Sequence, residues 1–354
     1  MRNLLPVFMV SLLLAGCGQS EAPVTAAGEG QQAAVAEEGA LVVYSARKEH
    51  LIKPLFDLFT EQTGIAVSYI TDSAGPLLAR LQAEGENTPA DMLITVDAGN
   101  LWQAQKVGVL SPVNSPVLTA NVPVHLRDPS DSWFALTIRA RTIVYASDRV
   151  NPAQDLSSYE ALAEPQWRGR LCLRTSKKVY NQSLVATMIA AQGGPATEAI
   201  VSGWVANLAM DPFANDTKVM EAIAAGQCDV GIVNTYYYGR LIKKQPQLAL
   251  ALFWPNQIGE GAVGRGTHVN ISGAGVTAHS RQKARAQQLL EWLSAEQAQV
   301  MLMELNREAA VNPRVAPLPD MLAWGDFKAD AVAVSEAGRL QVAAVKLMDR
   351  AGYR

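Results

Sequence analysis

The 354-residue chain has few of the residues that build most metal and redox sites: three cysteines and four histidines. His125 and His279 have no metal-like spacing with any other donor, and no His-Glu-x-x-His motif occurs. A P-loop and a nucleophile elbow are also missing, and Gly264-Arg265-Gly266 is too short a glycine signal for phosphate. An enzyme therefore has no nucleophile–base pair to rest on. The net charge is only −3, without the basic excess that a nucleic-acid partner demands. Beyond the N-terminus no hydrophobic run is long enough to cross a bilayer, and no internal repeat is found.

The N-terminus indicates where the protein works. Arg2 precedes an apolar stretch, Leu4 to Leu14, that is too short to span a membrane and reads as a secretory signal. The stretch ends in Leu14-Ala15-Gly16-Cys17, which resembles the lipobox of bacterial lipoproteins. That resemblance implies cleavage after residue 16 and a lipid on Cys17, tethering the protein to a membrane in the periplasm. From Gly18 to Gly39 the chain is mostly Ala, Gly, Gln and Glu, a composition that cannot bury a core and behaves as a flexible tether. With Cys17 assigned to lipid, Cys172 and Cys228 remain. In an oxidising compartment they are most simply a disulfide, the alternative being two buried free thiols.

About 315 residues follow the tether, more than one core usually serves, so two lobes are expected. Strand-like and helix-like segments alternate: Leu41-Val42-Val43-Tyr44, a helix from Glu49 to Gln62, Ala66 to Ile70, a helix from Leu77 to Ala83, then Met92-Leu93-Ile94. This βαβαβ opening predicts a mostly parallel sheet covered by helices. Phe134 to Ala146 reads as extended chain long enough to cross between lobes, and His268 to Thr277 as a crossing back. The chain divides accordingly into a signal (1–16), a tether (17–39), a first lobe (40–137 and 272–354) and a second lobe (138–271). Two lobes joined by two extended crossings make a hinge that can close on a ligand.

The tyrosine usage stands out. Nine tyrosines occur in the chain, and three of them, Tyr236-Tyr237-Tyr238, are consecutive. They follow Asp229 to Val233, an apolar run that reads as a buried strand, and ligand sites in α/β sheets lie beyond the carboxyl ends of strands. A phenolate is a hard anionic donor of the type ferric iron favours. The alternative is packing, since a buried tyrosine needs only one partner for its hydroxyl.

Six stretches, in their order and spacing, carry a wider resemblance. They are Val43-Tyr44-Ser45-Ala46-Arg47, Ala90 to Gly99, Thr137-Ile138-Arg139-Ala140-Arg141, Tyr180-Asn181-Gln182-Ser183-Leu184, Asn234-Thr235-Tyr236-Tyr237, and Gly264 to Asn270. Together they resemble the periplasmic ferric iron-binding proteins, the substrate-binding components of iron(III) ABC transporters. The resemblance implies an α/β, type II periplasmic-binding-protein fold, a permease partner and no catalysis; a monomer is expected. It also implies Tyr180, Tyr236 and Tyr237 as metal ligands, whereas Tyr238 is expected to pack. Relatives carry a His-Tyr dipeptide directly after the first stretch; here Lys48 and Glu49 occupy those positions and His50 follows. Glu49 or His50, water, or a small anion such as carbonate or bicarbonate could fill the remaining positions on the ion. Arg47, Arg139 and Arg141 are candidate holders of that anion, a planar guanidinium matching carbonate with two parallel hydrogen bonds. Salt bridging is their other reading. Asp91 and Asp97 flank a strand end and could equally cap a helix, and His268 is expected to be structural. A carrier of the same fold for an organic anion or polyamine, or a non-transport ligand sensor, is the alternative function.

Overall fold

The computed structural model describes residues 39–354. The signal 1–16, Cys17 and the tether up to residue 38 lie outside the described residues. The chain opens with β1 (Leu41–Ser45), β2 (Val67–Thr71) and β3 (Met92–Val96), paired in parallel in the order β2-β1-β3. The helices Glu49–Thr63 and Ala74–Glu84 form the crossovers. The first buries Leu51, Ile52, Leu55, Phe56 and Phe59, a stripe at three- and four-residue spacing. It stops at Gly64, whose φ of 72° lets its N–H reach back to the carbonyl of Thr60.

The sheet then changes character. Next come the short β4 (Leu110–Ser111), the long β5 (Phe134–Ala146), β6 (Leu171–Cys172), β7 (Val230–Asn234), β8 (Leu250–Phe253), β9 (Val269–Thr277) and β10 (Ala309–Ala310). β9 runs antiparallel to β3, and β5 antiparallel to β9 through Ala140. From Arg141 onward β5 leaves β9 and pairs antiparallel with β7 and β8, while β6 runs parallel to β7. One strand of 13 residues, roughly 40 Å of extended chain, thus belongs to two sheets. The expectation of a mostly parallel sheet holds for the opening three strands. The crossing strands bring in antiparallel pairings, because a chain that returns from the other lobe enters the sheet in the opposite direction.

The buried apolar residues separate with the sheets. One core holds Leu41, Val43, Phe56, Phe59, Trp133, Ile271, Leu289 and Leu290. Another holds Leu184, Val185, Trp167, Trp204 and Ile232, with a smaller cluster of Val144, Met220, Ile223 and Val233 beside it. The C-terminal helix Gln341–Arg350 places Ala344, Leu347 and Met348, followed by Tyr353, in the second core. This corrects the assignment of all of 272–354 to the first lobe: helical periodicity marks an apolar face but not which core that face meets. Cys172 and Cys228 are bonded to each other, Cα atoms 6.0 Å apart, tying β6 to the chain entering β7. No helix among the described residues is long and apolar enough to cross a membrane.

Candidate metal centre

Three tyrosines enter the site on the first turns of two helices. Tyr180 is the second residue of the helix Val179–Gln192, and Tyr236 and Tyr237 are the second and third of the helix Thr235–Lys244. β7 ends at Asn234 and hands the chain directly to the second of these. A helix start carries partial positive charge from its free N–H groups, which favours an anionic phenolate there. The rings of Tyr236 and Tyr237 lie 4.4 Å apart, centroid to centroid. The Arg174 guanidinium sits 5.1 Å from the Tyr180 ring and 5.9 Å from the Tyr237 ring, so the two helices share one cation. Arg139 lies 5.2 Å from the Tyr180 ring and Arg240 5.1 Å from the Tyr236 ring.

Tyr236 is buried, and its hydroxyl receives one long hydrogen bond, 3.3 Å from Asn234 Nδ2. Burial holds its phenol well above its ordinary pKa, the neighbouring Tyr180 and Tyr237 add to this, and Arg139 opposes them. Phenols this close resist ionising together unless a cation joins them. Among the described residues no group of three or more His, Cys, Asp or Glu side chains is placed to hold a metal. The phenols are the donors this region offers.

The arginines fall into two groups. Arg47 is bound to Glu308 through both terminal nitrogens and also donates to Asn306 (3.0 Å) and Thr137 (3.0 Å). Arg141 donates to Asn181, Asp216, Asn234 and the carbonyl of Ile232. Both are ion-paired to buried carboxylates, the salt-bridging alternative raised by the sequence, as a buried guanidinium requires. Arg139 differs. Its Nη1 donates to the Ile271 carbonyl (2.7 Å) and Ser272 Oγ (3.2 Å), but its buried Nη2 has no hydrogen-bond partner and only faces Asp97 at 3.6 Å. Arg174, which the sequence reading passed over although it opens the Arg-Thr-Ser turn before Tyr180, has an unpartnered buried Nε. The two unpartnered donors belong to the two arginines that lie over Tyr180.

Glu49 accepts a hydrogen bond from Tyr69 (2.8 Å), and both Glu49 and His50 are exposed. Among the described residues neither is hydrogen-bonded to the three tyrosines. Glu308, unforeseen from sequence, is fully buried. Burial pushes its carboxyl up, but Arg47 and Arg139 outweigh this and hold it below the usual range. Asp97 caps the helix Ala98–Lys106 through the N–H of Gly99, as a capping aspartate should. Asp91 receives the Val42 N–H (3.0 Å) and Ser280 Oγ (2.6 Å), a structural role. Tyr238 turns away, donating to the Leu250 carbonyl (3.2 Å) with its ring edge-on to Trp324. His268 is buried against Thr187 (Nδ1 to Oγ1, 3.1 Å). Burial, then Arg265, Arg141 and Arg139, hold its pKa well below 6.5, so it is neutral.

The chain is similar in sequence and fold to known proteins. The family model for bacterial extracellular solute-binding proteins matches residues 55–329. Iron uptake protein A2 of Synechocystis is 43% identical over 327 residues, 91% of this chain and 92% of its own. Iron uptake protein A1 of the same organism is 40% identical over 356 residues, 98% of this chain and 95% of its own. The Trichodesmium protein IdiA (FutA), solved in complex with iron and citrate, superposes with a TM-score of 0.84 at 41% identity, covering 89% of this chain and 100% of that one. The architecture is the type II periplasmic-binding-protein fold, two α/β lobes joined by crossing strands. The chain belongs to the bacterial extracellular solute-binding protein family.

Proposed function

We propose that this protein is a periplasmic ferric iron carrier that takes the ion through Tyr180, Tyr236 and Tyr237 and delivers it to an ABC permease. The observation that carries this reading is the grouping of three phenols at two helix starts around arginines with unpartnered donors. Three phenolates balance a 3+ ion, and the ion supplies the charge that lets buried phenols ionise. The remaining positions suit a small anion such as carbonate, or the citrate found with iron in the Trichodesmium structure, held by Arg139 Nη2 and Arg174 Nε. Iron uptake is the role named for the Synechocystis relatives. A lipid on Cys17 would keep the carrier close to its permease. A polyamine is disfavoured by the same arginines, since a cation would need carboxylates there.

Titration of the purified protein with ferric iron tests this. A visible phenolate-to-iron absorption band and a rise in thermal stability are expected, worth about 4 kcal/mol at a thousandfold excess of free ion over Kd. A colourless mixture with an unshifted melting curve contradicts the reading.

A further inference from the structure

The Asp97 carboxylate gathers hydrogen bonds from both halves of the molecule. Beside it in the chain it accepts from the Gly99 N–H (2.9 Å), and from the paired crossing strands it meets Asn270 Nδ2 (2.9 Å) and Arg139 Nη2 (3.6 Å). From the second-lobe helix Val179–Gln192, Ser183 Oγ lies 2.8 Å from each carboxylate oxygen. Asp97 adjoins Ala98 and Leu101 of the first core, whereas Ser183 adjoins Leu184 and Val185 of the second. Both are fully buried, and Asp97 has a φ of 78°, a region that residues other than glycine rarely occupy. Ser183 follows Tyr180 by three residues on the same helix, so the two lie on neighbouring positions of one face.

We propose that Asp97 is the first-lobe latch of the carrier: accepting from Ser183, it clamps the helix that bears Tyr180 against the first lobe and must let go before the ion can leave. This deepens the reading of the site as an iron carrier and rests on it. Both carboxylate oxygens are already hydrogen-bonded, so Asp97 is a positioning residue and not a ligand. The chemistry suits a contact that is made and broken. A hydroxyl bound to a buried carboxylate is stronger than a neutral pair, yet on opening water can replace each partner, so release leaves no orphaned group. Asp97 also supplies what Glu49 and His50 do not, a first-lobe grip on the tyrosine-bearing side.

Ser183→Ala tests the latch, because it removes the crossing donor and leaves Asp97 with Gly99, Asn270 and Arg139. Two quantities are read: the rate of iron loss to excess chelator, and the radius of gyration of the metal-free protein by small-angle X-ray scattering. The latch predicts about tenfold faster loss, the effect of one hydrogen bond to a charged group, an unchanged rate of uptake, and a larger metal-free radius. Asp97→Asn should act in the same direction. Thr197→Ala is the control: it deletes a buried hydroxyl that bonds only the Gly193 carbonyl within its own segment, and should lower the melting temperature without moving either readout. Unaltered release and radius in Ser183→Ala, or equal acceleration in Thr197→Ala, overturn the proposal. The scattering arm contains no metal. An expanded Ser183→Ala beside an unaltered protein that takes up no iron upholds the latch and removes only the cargo reading.

Discussion

On one side of the site stand Tyr180, Tyr236 and Tyr237, with Arg139 and Arg174, each carrying one unpartnered buried donor, over the Tyr180 ring. On the other stand Asp97, Arg47 and Glu308, whose polar atoms are tied to fixed protein partners. The first side is under-satisfied and able to receive an ion and an anion. The second is saturated and able only to position. Unmet hydrogen-bonding capacity in a buried place is unfavourable unless something binds there, and here it coincides with the grouped phenols, which supports the proposed placement of the ion.

The comparison is broken most severely by removing donors from the receptive side. Tyr236→Phe with Tyr237→Phe should abolish the visible band. It should lower ferric affinity on the order of a thousandfold or more, beyond the roughly 10–100-fold typical of groups that only support a ligand; competition against a chelator of known affinity measures this. The metal-free protein should keep its stability, since the Tyr236 hydroxyl takes part only in the long bond from Asn234. The arginines sharpen the contrast. Arg141→Ala removes the nearer of the two arginines on the buried Asp216, leaving it Arg174 at 3.4 Å and the Asn234 N–H, and should cost on the order of 3 kcal/mol in denaturant unfolding. Arg174→Ala should instead weaken iron binding roughly 10–100-fold and reduce its dependence on added anion.

Acid separates the receptive side from the scaffold between the two. His268 on the return crossing has a folded pKa well below 6.5. Below pH 6.5 the unfolded chain therefore takes a proton that the native state refuses. Stability falls as pH drops, by up to about 1.4 kcal/mol per pH unit, until the folded pKa is reached. Urea unfolding between pH 7 and 5 should show this slope, and His268→Gln should flatten it. The loss of iron in acid, which comes from protons returning to the phenolates, should persist in that variant. The smallest effect is expected at the exposed helix start: Glu49→Gln with His50→Gln should leave ferric affinity within about twofold, since surface changes away from such features are usually small.

The sequence announced the scaffold through local signals. The extended run Phe134 to Ala146 is the observed β5 end to end, and the helix expected from Glu49 to Gln62 forms over Glu49–Thr63. Cysteine arithmetic named the pair that the structure bonds. The tyrosine run was visible as composition. Which arginines stay free was not, because satisfaction depends on partners far along the chain: Arg47 meets Glu308 261 residues later, and Asp97 meets Ser183 86 residues later. No periodicity records such meetings. Arg174 stands only six residues before Tyr180, but its unpartnered Nε exists only once Asp216 and Tyr180 have been folded around it. Residues 272–354 read as one block in the sequence, yet two cores were available to receive the last helix.

Resonance Raman spectroscopy of the ferric-loaded protein, excited within its visible absorption, tests the central claim most directly. Phenolate ring modes enhanced through the iron are predicted, weakened by Tyr180→Phe and lost when Tyr236 and Tyr237 are also replaced. Tightly bound ferric iron with no enhanced phenolate modes would contradict the account.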